Sequence, residues 1–143
     1  MKILVAYYSR TGNTEKMAEA AVEGVRTTGS LVELLVDSDV DPATLSGYDA
    51  VVVGAPTYHH DMTNGIKSLF EKAAVKGVNL NGKVGAAFGS YGWSGEAPRL
   101  VLEIMKNRFG MRVIEPPLLV KYKPDSQALS RCRELGIAIA KSI

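Results

Sequence analysis

The sequence predicts a three-layer α/β domain: a doubly wound parallel sheet covered on both faces by helices. Three observations carry that expectation. Ile3 to Tyr8, Ala50 to Ala55 and Val84 to Phe88 are apolar at successive positions rather than alternate ones, which suits central strands buried on both sides. Stretches with helical spacing lie between them, an order that joins parallel neighbours by right-handed crossovers. The chain has 143 residues, 46% of them hydrophobic and 22% charged, so residues 1–143 are expected to form a single domain.

The first strand, Ile3 to Tyr8, stops at the polar Ser9, and a helix is expected over about Thr14 to Thr27. Leu31 to Val36 alternates less cleanly and carries Glu33, which reads as an edge strand. A helix over about Asn64 to Val75 follows the Ala50–Ala55 strand. Another, over about Glu96 to Phe109, follows Val84–Phe88, with Gly110 as its C-cap. Arg112 to Val120 supplies a fifth strand; Pro116 and Pro117 cannot donate ladder hydrogen bonds, so a bulge or edge position is expected there. In the last helix, about Ser126 to Ser142, Leu129, Cys132, Leu135, Gly136 and Ile139 share a face, and Asp125 or Ser126 is placed to cap its start.

Charge and cysteine usage narrow the function classes. Lys and Arg number 17 against 15 Asp and Glu, a formal net charge of +2, and the two signs interleave along the chain. No basic face for nucleic acid is expected. Cys132 is the single cysteine, which excludes an internal disulfide framework, a multi-cysteine zinc site and a cysteine-ligated iron–sulfur cluster within one chain. A reducing cytoplasm is the expected location. The apolar run from Ile3 is too short for a signal peptide, and no stretch approaches the roughly 20 apolar residues of a membrane helix.

In open parallel sheets ligands bind outside the carboxyl ends of the strands, which directs attention to three loops: Ser9 to Thr14, Pro56 to Asn64 and Gly89 to Glu96. The first reads Ser9-Arg10-Thr11-Gly12-Asn13-Thr14, between a buried strand and a helix. Backbone N–H groups at the helix start, three hydroxyls and an amide would hold a phosphate, and Gly12 lets the backbone approach it. The third, Gly89-Ser90-Tyr91-Gly92-Trp93-Ser94-Gly95-Glu96, offers aromatic faces and glycines to a flat ligand. The second, Pro56-Thr57-Tyr58-His59-His60-Asp61-Met62, adds a further aromatic and both histidines. Adjacent histidines on an extended backbone point to opposite sides, so a metal site is not expected. The loops together describe a site for a flat ring with a phosphate tail.

Other chemistries fail on inspection. No Gly-x-Gly occurs, and the P-loop spacing from Gly77 to Lys83 is followed by Val84 where Ser or Thr is required. Ser9-Arg10 stands where a phosphate-accepting receiver needs acids, Cys132 lies within a helix, and Gly92-Trp93-Ser94-Gly95 is one residue short of a nucleophile elbow.

At these residues the chain resembles the flavodoxins over essentially its whole length. Tyr8 to Thr14 is similar to the loop that holds the FMN phosphate. Phe88-Gly89-Ser90-Tyr91-Gly92-Trp93 is similar to the loop whose tryptophan stacks on the flavin, as in short-chain members. The resemblance implies a five-stranded sheet in the order 2-1-3-4-5, FMN as cofactor, and single-electron transfer between redox proteins by a monomer without catalytic residues. It implies cofactor contacts from Ser9, Arg10, Thr11, Gly12, Asn13 and Thr14, from Pro56, Thr57, Tyr58, His59 and His60, and from Gly89, Ser90, Tyr91, Gly92, Trp93 and Gly95. Tyr58 would flank the ring and His59 would lie near its N5 edge.

Family members often have a glycine followed by an acid where His59 and His60 stand. That glycine permits a peptide flip; His59 carries a Cβ and is expected to resist positive φ. Tyr58-His59-His60 also resembles the matching loop in flavodoxin domains of diiron flavoproteins that reduce oxygen or nitric oxide. A histidine titrating near neutrality at the ring edge would make the potential depend on pH. The competing expectation is an NAD(P)H-dependent quinone or flavin reductase on the same fold, and a third is a module that only binds FMN. Near the proposed site Arg10, Lys16 and Arg99 are matched by Glu15, Asp61 and Glu96, so steering of partners should be weak.

Overall fold

The computed structural model describes all residues from Met1 to Ile143. Along the chain come β1 (Lys2–Tyr7), α1 (Asn13–Thr27), β2 (Leu31–Val36), two 3-10 turns (Asp37–Asp39 and Pro42–Gly47), β3 (Ala50–Gly54), α2 (Asn64–Val75), β4 (Val84–Tyr91), α3 (Glu96–Glu103), β5 (Arg112–Val113), β6 (Leu118–Lys121) and α4 (Ser126–Lys141). Every strand pairing is parallel, and the order is β2-β1-β3-β4-β5, with β6 also on β4. Leu31–Val36 is an edge strand, as Glu33 suggested.

The fifth strand divides in two. β5 pairs with Val84 and Gly85 at the start of β4, and β6 pairs with Phe88 to Tyr91 at its end. Six strands thus fill five positions, because Pro116 and Pro117 interrupt the ladder between them. The Glu115–Pro116 peptide is cis. Pairing with β6 carries β4 on to Tyr91, so Gly89, Ser90 and Tyr91 belong to a strand and not to the loop expected there.

Alternation along the central strands builds two cores. Leu4, Ala6, Val51 and Val53 face one side with Ile66, Phe70 and Val101 of α2 and α3. Ile3, Val5, Val52 and Phe88 face the other with Met17, Val25, Cys132 and Ile139 of α1 and α4. Burial pushes the Cys132 thiol up to about 11, which leaves it protonated and unreactive. α3 runs on as a wider π turn over Ile104–Arg108 before Gly110 closes it at φ 66°. At the start of α4 the Asp125 carboxylate accepts from the Ala128 N–H at 2.8 Å. No helix is long and apolar enough to cross a membrane.

Candidate cofactor site

The carboxyl ends of β1, β3 and β4 open onto two adjoining hollows, each of about 220 Å³, that share Thr57. The first is lined by Ser9, Arg10, Thr11, Asn13, Thr14, Pro56, Thr57, Tyr58, Ser90, Tyr91, Gly92 and Tyr122. The second is lined by Thr57, His59, His60, Trp93 and Ser94. Together they reach the size of a small-cofactor cleft, roughly 300–1,000 Å³.

In the first hollow the chain turns sharply from β1 into α1. Gly12 precedes the helix at φ 89°, a conformation that glycine adopts without steric cost, and its N–H donates to Ser9 Oγ at 3.0 Å. No side chain caps α1, and its first internal bond runs from Lys16 N–H to the Gly12 carbonyl at 3.1 Å. The N–H groups of Asn13, Thr14 and Glu15 are therefore left without a partner in the chain, at the positive end of a helix dipole and beside a pocket lined with hydroxyls. That donor set fits a phosphate.

Buried hydroxyls fix this end in place. Thr14 is 2% exposed, and its Oγ1 accepts from the Ser90 N–H at 3.3 Å. Ser90 Oγ in turn donates to the Tyr122 carbonyl at 2.7 Å. Below them the Tyr7 hydroxyl donates to Glu15 at 2.7 Å; burial first, and then the Glu15 carboxylate, push the Tyr7 phenol up to about 12. Glu15 is thus held by Tyr7 at the base of α1. Arg10 is exposed at the rim and makes no ion pair. Tyr58 stands half-buried in the same wall, its phenol raised by burial and by Tyr8, against the pull of the Arg10 charge.

The second hollow is built from side chains. Tyr58 and Asp61 exchange both backbone hydrogen bonds at 3.0 Å, which closes a two-residue turn with His59 at φ 52° and His60 at φ 64°. Positive φ at both central positions is the geometry of tight hairpin turns, normally given to Asn and Gly. The expectation that His59 resists positive φ is therefore overturned: two ladder bonds hold it there, and histidine is among the non-glycine residues found more often in the left-handed region. Asp61 is anchored in its turn by Lys67 at 2.5 Å, which with the Met62 N–H lowers its carboxyl.

His60 reaches across to the other loop. Its Nδ1 lies 2.5 Å from Glu96 Oε2 and 3.1 Å from Ser94 Oγ. A carboxylate only accepts, so Nδ1 carries the proton and Nε2 is left free. Trp93 stands edge-on to the imidazole at 6.5 Å between centroids and is 92% exposed. The Ser94 hydroxyl, with help from His60, holds the Glu96 carboxyl below its ordinary value despite partial desolvation. Thr57 ties the same loops together from beneath, its Oγ1 accepting from the Ala97 N–H at 2.9 Å at the start of α3.

Most of the residues expected at the site converge on these two hollows. Gly12, Gly89 and Gly95 do not line them. Gly12 shapes the turn, Gly95 precedes α3, and Gly89 is buried in β4, where a Cβ would stand 2.0 Å from the Ala55 carbonyl oxygen. Two lining residues escaped the sequence reading. Ser94 lay within the third loop and carried no motif of its own. Tyr122 lies beyond the last strand and reaches the site only through the β4–β6 pairing.

The flavodoxin family model matches residues 5–136. The flavodoxin of Clostridium beijerinckii is 35% identical, over 95% of this chain and 97% of that protein. The nitric oxide reductase of Moorella thermoacetica is 36% identical over 99% of this chain, which spans 36% of that longer protein. A solved flavodoxin from the domain Archaea superposes with a TM-score of 0.93 at 40% identity, covering 99% of this chain and 98% of that one. The fold agrees with these likenesses, and the chain belongs to the flavodoxin family of FMN-binding electron-transfer proteins.

Proposed function

We propose that residues 1–143 act as a single-domain electron carrier that holds FMN across the two hollows and serves redox proteins without turning over a substrate of its own. The uncapped start of α1 within a pocket of hydroxyls carries this reading, because those N–H groups need an anion and the family's cofactor supplies one. When bound, FMN supplies the one-electron chemistry. The chain's part is to bind and tune. Ser9, Thr11, Asn13 and Thr14 with the α1 N–H groups take the phosphate, Arg10 adds charge at the rim, and Tyr58 and Trp93 offer aromatic faces. His60, with Nδ1–H given to Glu96, presents Nε2 as a proton acceptor beside the second hollow.

The contacts proposed for Pro56, Thr57, His59, Ser90, Tyr91 and Gly92 follow from their place in the lining. The acids around the site are engaged locally, Asp61 by Lys67, Glu96 by His60 and Glu15 by Tyr7, while Arg10, Lys16 and Arg99 make no ion pair and would be offset by the charge of the FMN phosphate. Docking should therefore depend only mildly on salt.

Stepwise reduction of the FMN-loaded protein, followed by visible absorption, tests the carrier reading. Reversible bleaching and recovery of the flavin bands are expected. Rapid NADH or NADPH oxidation with a quinone and no added reductase would instead establish a reductase. The potential should shift in His60→Asn and stay close to wild type in His59→Asn, since only His60 is held by a carboxylate beside the second hollow.

A further inference from the structure

We infer that Tyr122 is a binding residue for the phosphorylated tail of the cofactor and sets the preference for phosphorylated over unphosphorylated flavins, a role that rests on the FMN reading above. Tyr122 follows β6 and adopts φ 61°. For a bulky aromatic that is a costly conformation, kept only where the surroundings enforce it. They enforce it here from two sides. The Tyr122 N–H donates to the Tyr91 carbonyl at 2.8 Å, and its carbonyl accepts from Ser90 Oγ at 2.7 Å.

The strained backbone does not serve the core. Tyr122 is 62% exposed, so its ring gains little from burial. What the conformation does achieve is placement. Ser90 is bonded on its other side to Thr14, so one short chain of hydrogen bonds locks Tyr122 to the first turn of α1, where the unpartnered N–H groups lie. The ring stands beside Gly92, its Cε1 3.6 Å from where a Cβ on that glycine would be, and forms part of the hydroxyl-lined pocket. Lys121 Nζ lies 5.4 Å from the ring centroid.

Trp93 and the two histidines line the other hollow and not this one. Tyr58 and Tyr91 line the same hollow as Tyr122, and what assigns Tyr122 to its phosphate end is the hydrogen-bonded link through Ser90 to Thr14 in the first turn of α1. Laid along the pocket wall, its ring excludes water from the anion, and N–H bonds to a phosphate strengthen as water is excluded.

The test is the dissociation constant of the apoprotein for FMN and for riboflavin, read by quenching of flavin fluorescence, in wild type and in Tyr122→Gly, Tyr122→Asn and Tyr122→Phe. Glycine adopts φ 61° freely and asparagine tolerates it, so the melting temperatures of those two apoproteins should match or exceed wild type. Both should bind FMN about tenfold more weakly and riboflavin within about twofold of wild type, while Tyr122→Phe stays within about twofold for both. Unchanged FMN affinity in the Gly and Asn variants would overturn the role. Equal losses for FMN and riboflavin would overturn the assignment to the phosphate end, and a Tyr122→Phe loss as large as that of Tyr122→Gly would overturn the ring as its cause. A wild-type apoprotein that fails to bind FMN would sink the underlying reading, a result distinct from all of these.

Discussion

The hydroxyl-lined pocket at the start of α1 and the aromatic hollow beside it share a residue and differ in what holds them. The first is fixed by backbone and buried groups: Thr14 at 2% exposure, Ser90 at 7%, and the pairing of Ser90 and Tyr91 with β6. The second hangs on side chains at the surface, with His60, Ser94 and Glu96 joined across two loops and Trp93 almost wholly in water. An anion needs donors whose directions are set before it arrives, since aligning them on binding costs entropy. A flat ring is gripped by faces, which tolerate small displacements. Rigidity at one end and adjustability at the other suit the two halves of one ligand.

The hardest break is in β4, next to Ser90. Gly89→Ala drives a Cβ into the Ala55 carbonyl, and overpacking against backbone should cost about 3 kcal/mol in urea unfolding. A change below about 0.5 kcal/mol would show that β4 yields there and that the contrast in rigidity is wrong.

Thr14→Val keeps the shape and strips the acceptor from the Ser90 N–H. It should cost about 2 kcal/mol and weaken FMN binding measured by fluorescence quenching, because the same substitution loosens the phosphate end.

Trp93→Ala acts in the opposite way. With the ring 92% exposed, the unfolding free energy should move by less than about 0.5 kcal/mol, while FMN affinity falls about tenfold. If stability fell as much as in Thr14→Val, the aromatic hollow would be a structural unit and not a loose grip.

The smallest effect is one of pH. The Glu96 carboxyl lies below its ordinary value in the folded chain, so its contribution is present above the ordinary carboxylate range and is lost as pH falls through the lower folded value. Trp93 emission in the apoprotein should report the loops parting over that acid range, and Glu96→Gln should flatten the response. An unchanged response would place the latch elsewhere.

The sequence by itself determined the architecture and the hydroxyl-rich turn at the start of α1. Both are written locally: doubly buried strands need consecutive apolar residues, and a turn between strand and helix needs glycine and hydroxyls within a few positions. Even the broken fifth strand was legible in Pro116 and Pro117, because proline removes a donor wherever it stands. Tertiary structure decided the rest. That Gly89 to Tyr91 form strand depends on β6 arriving beside them, and Tyr122 joins the site through that same pairing. His59 and His60 adopt the left-handed conformation that their Cβ atoms disfavour because Tyr58 and Asp61 close a ladder around them. In the first two cases a contact between distant segments, and in the third a pair of hydrogen bonds between the residues flanking the turn, outweighed the preference of the residue itself, and a preference is all that one position in a sequence can state.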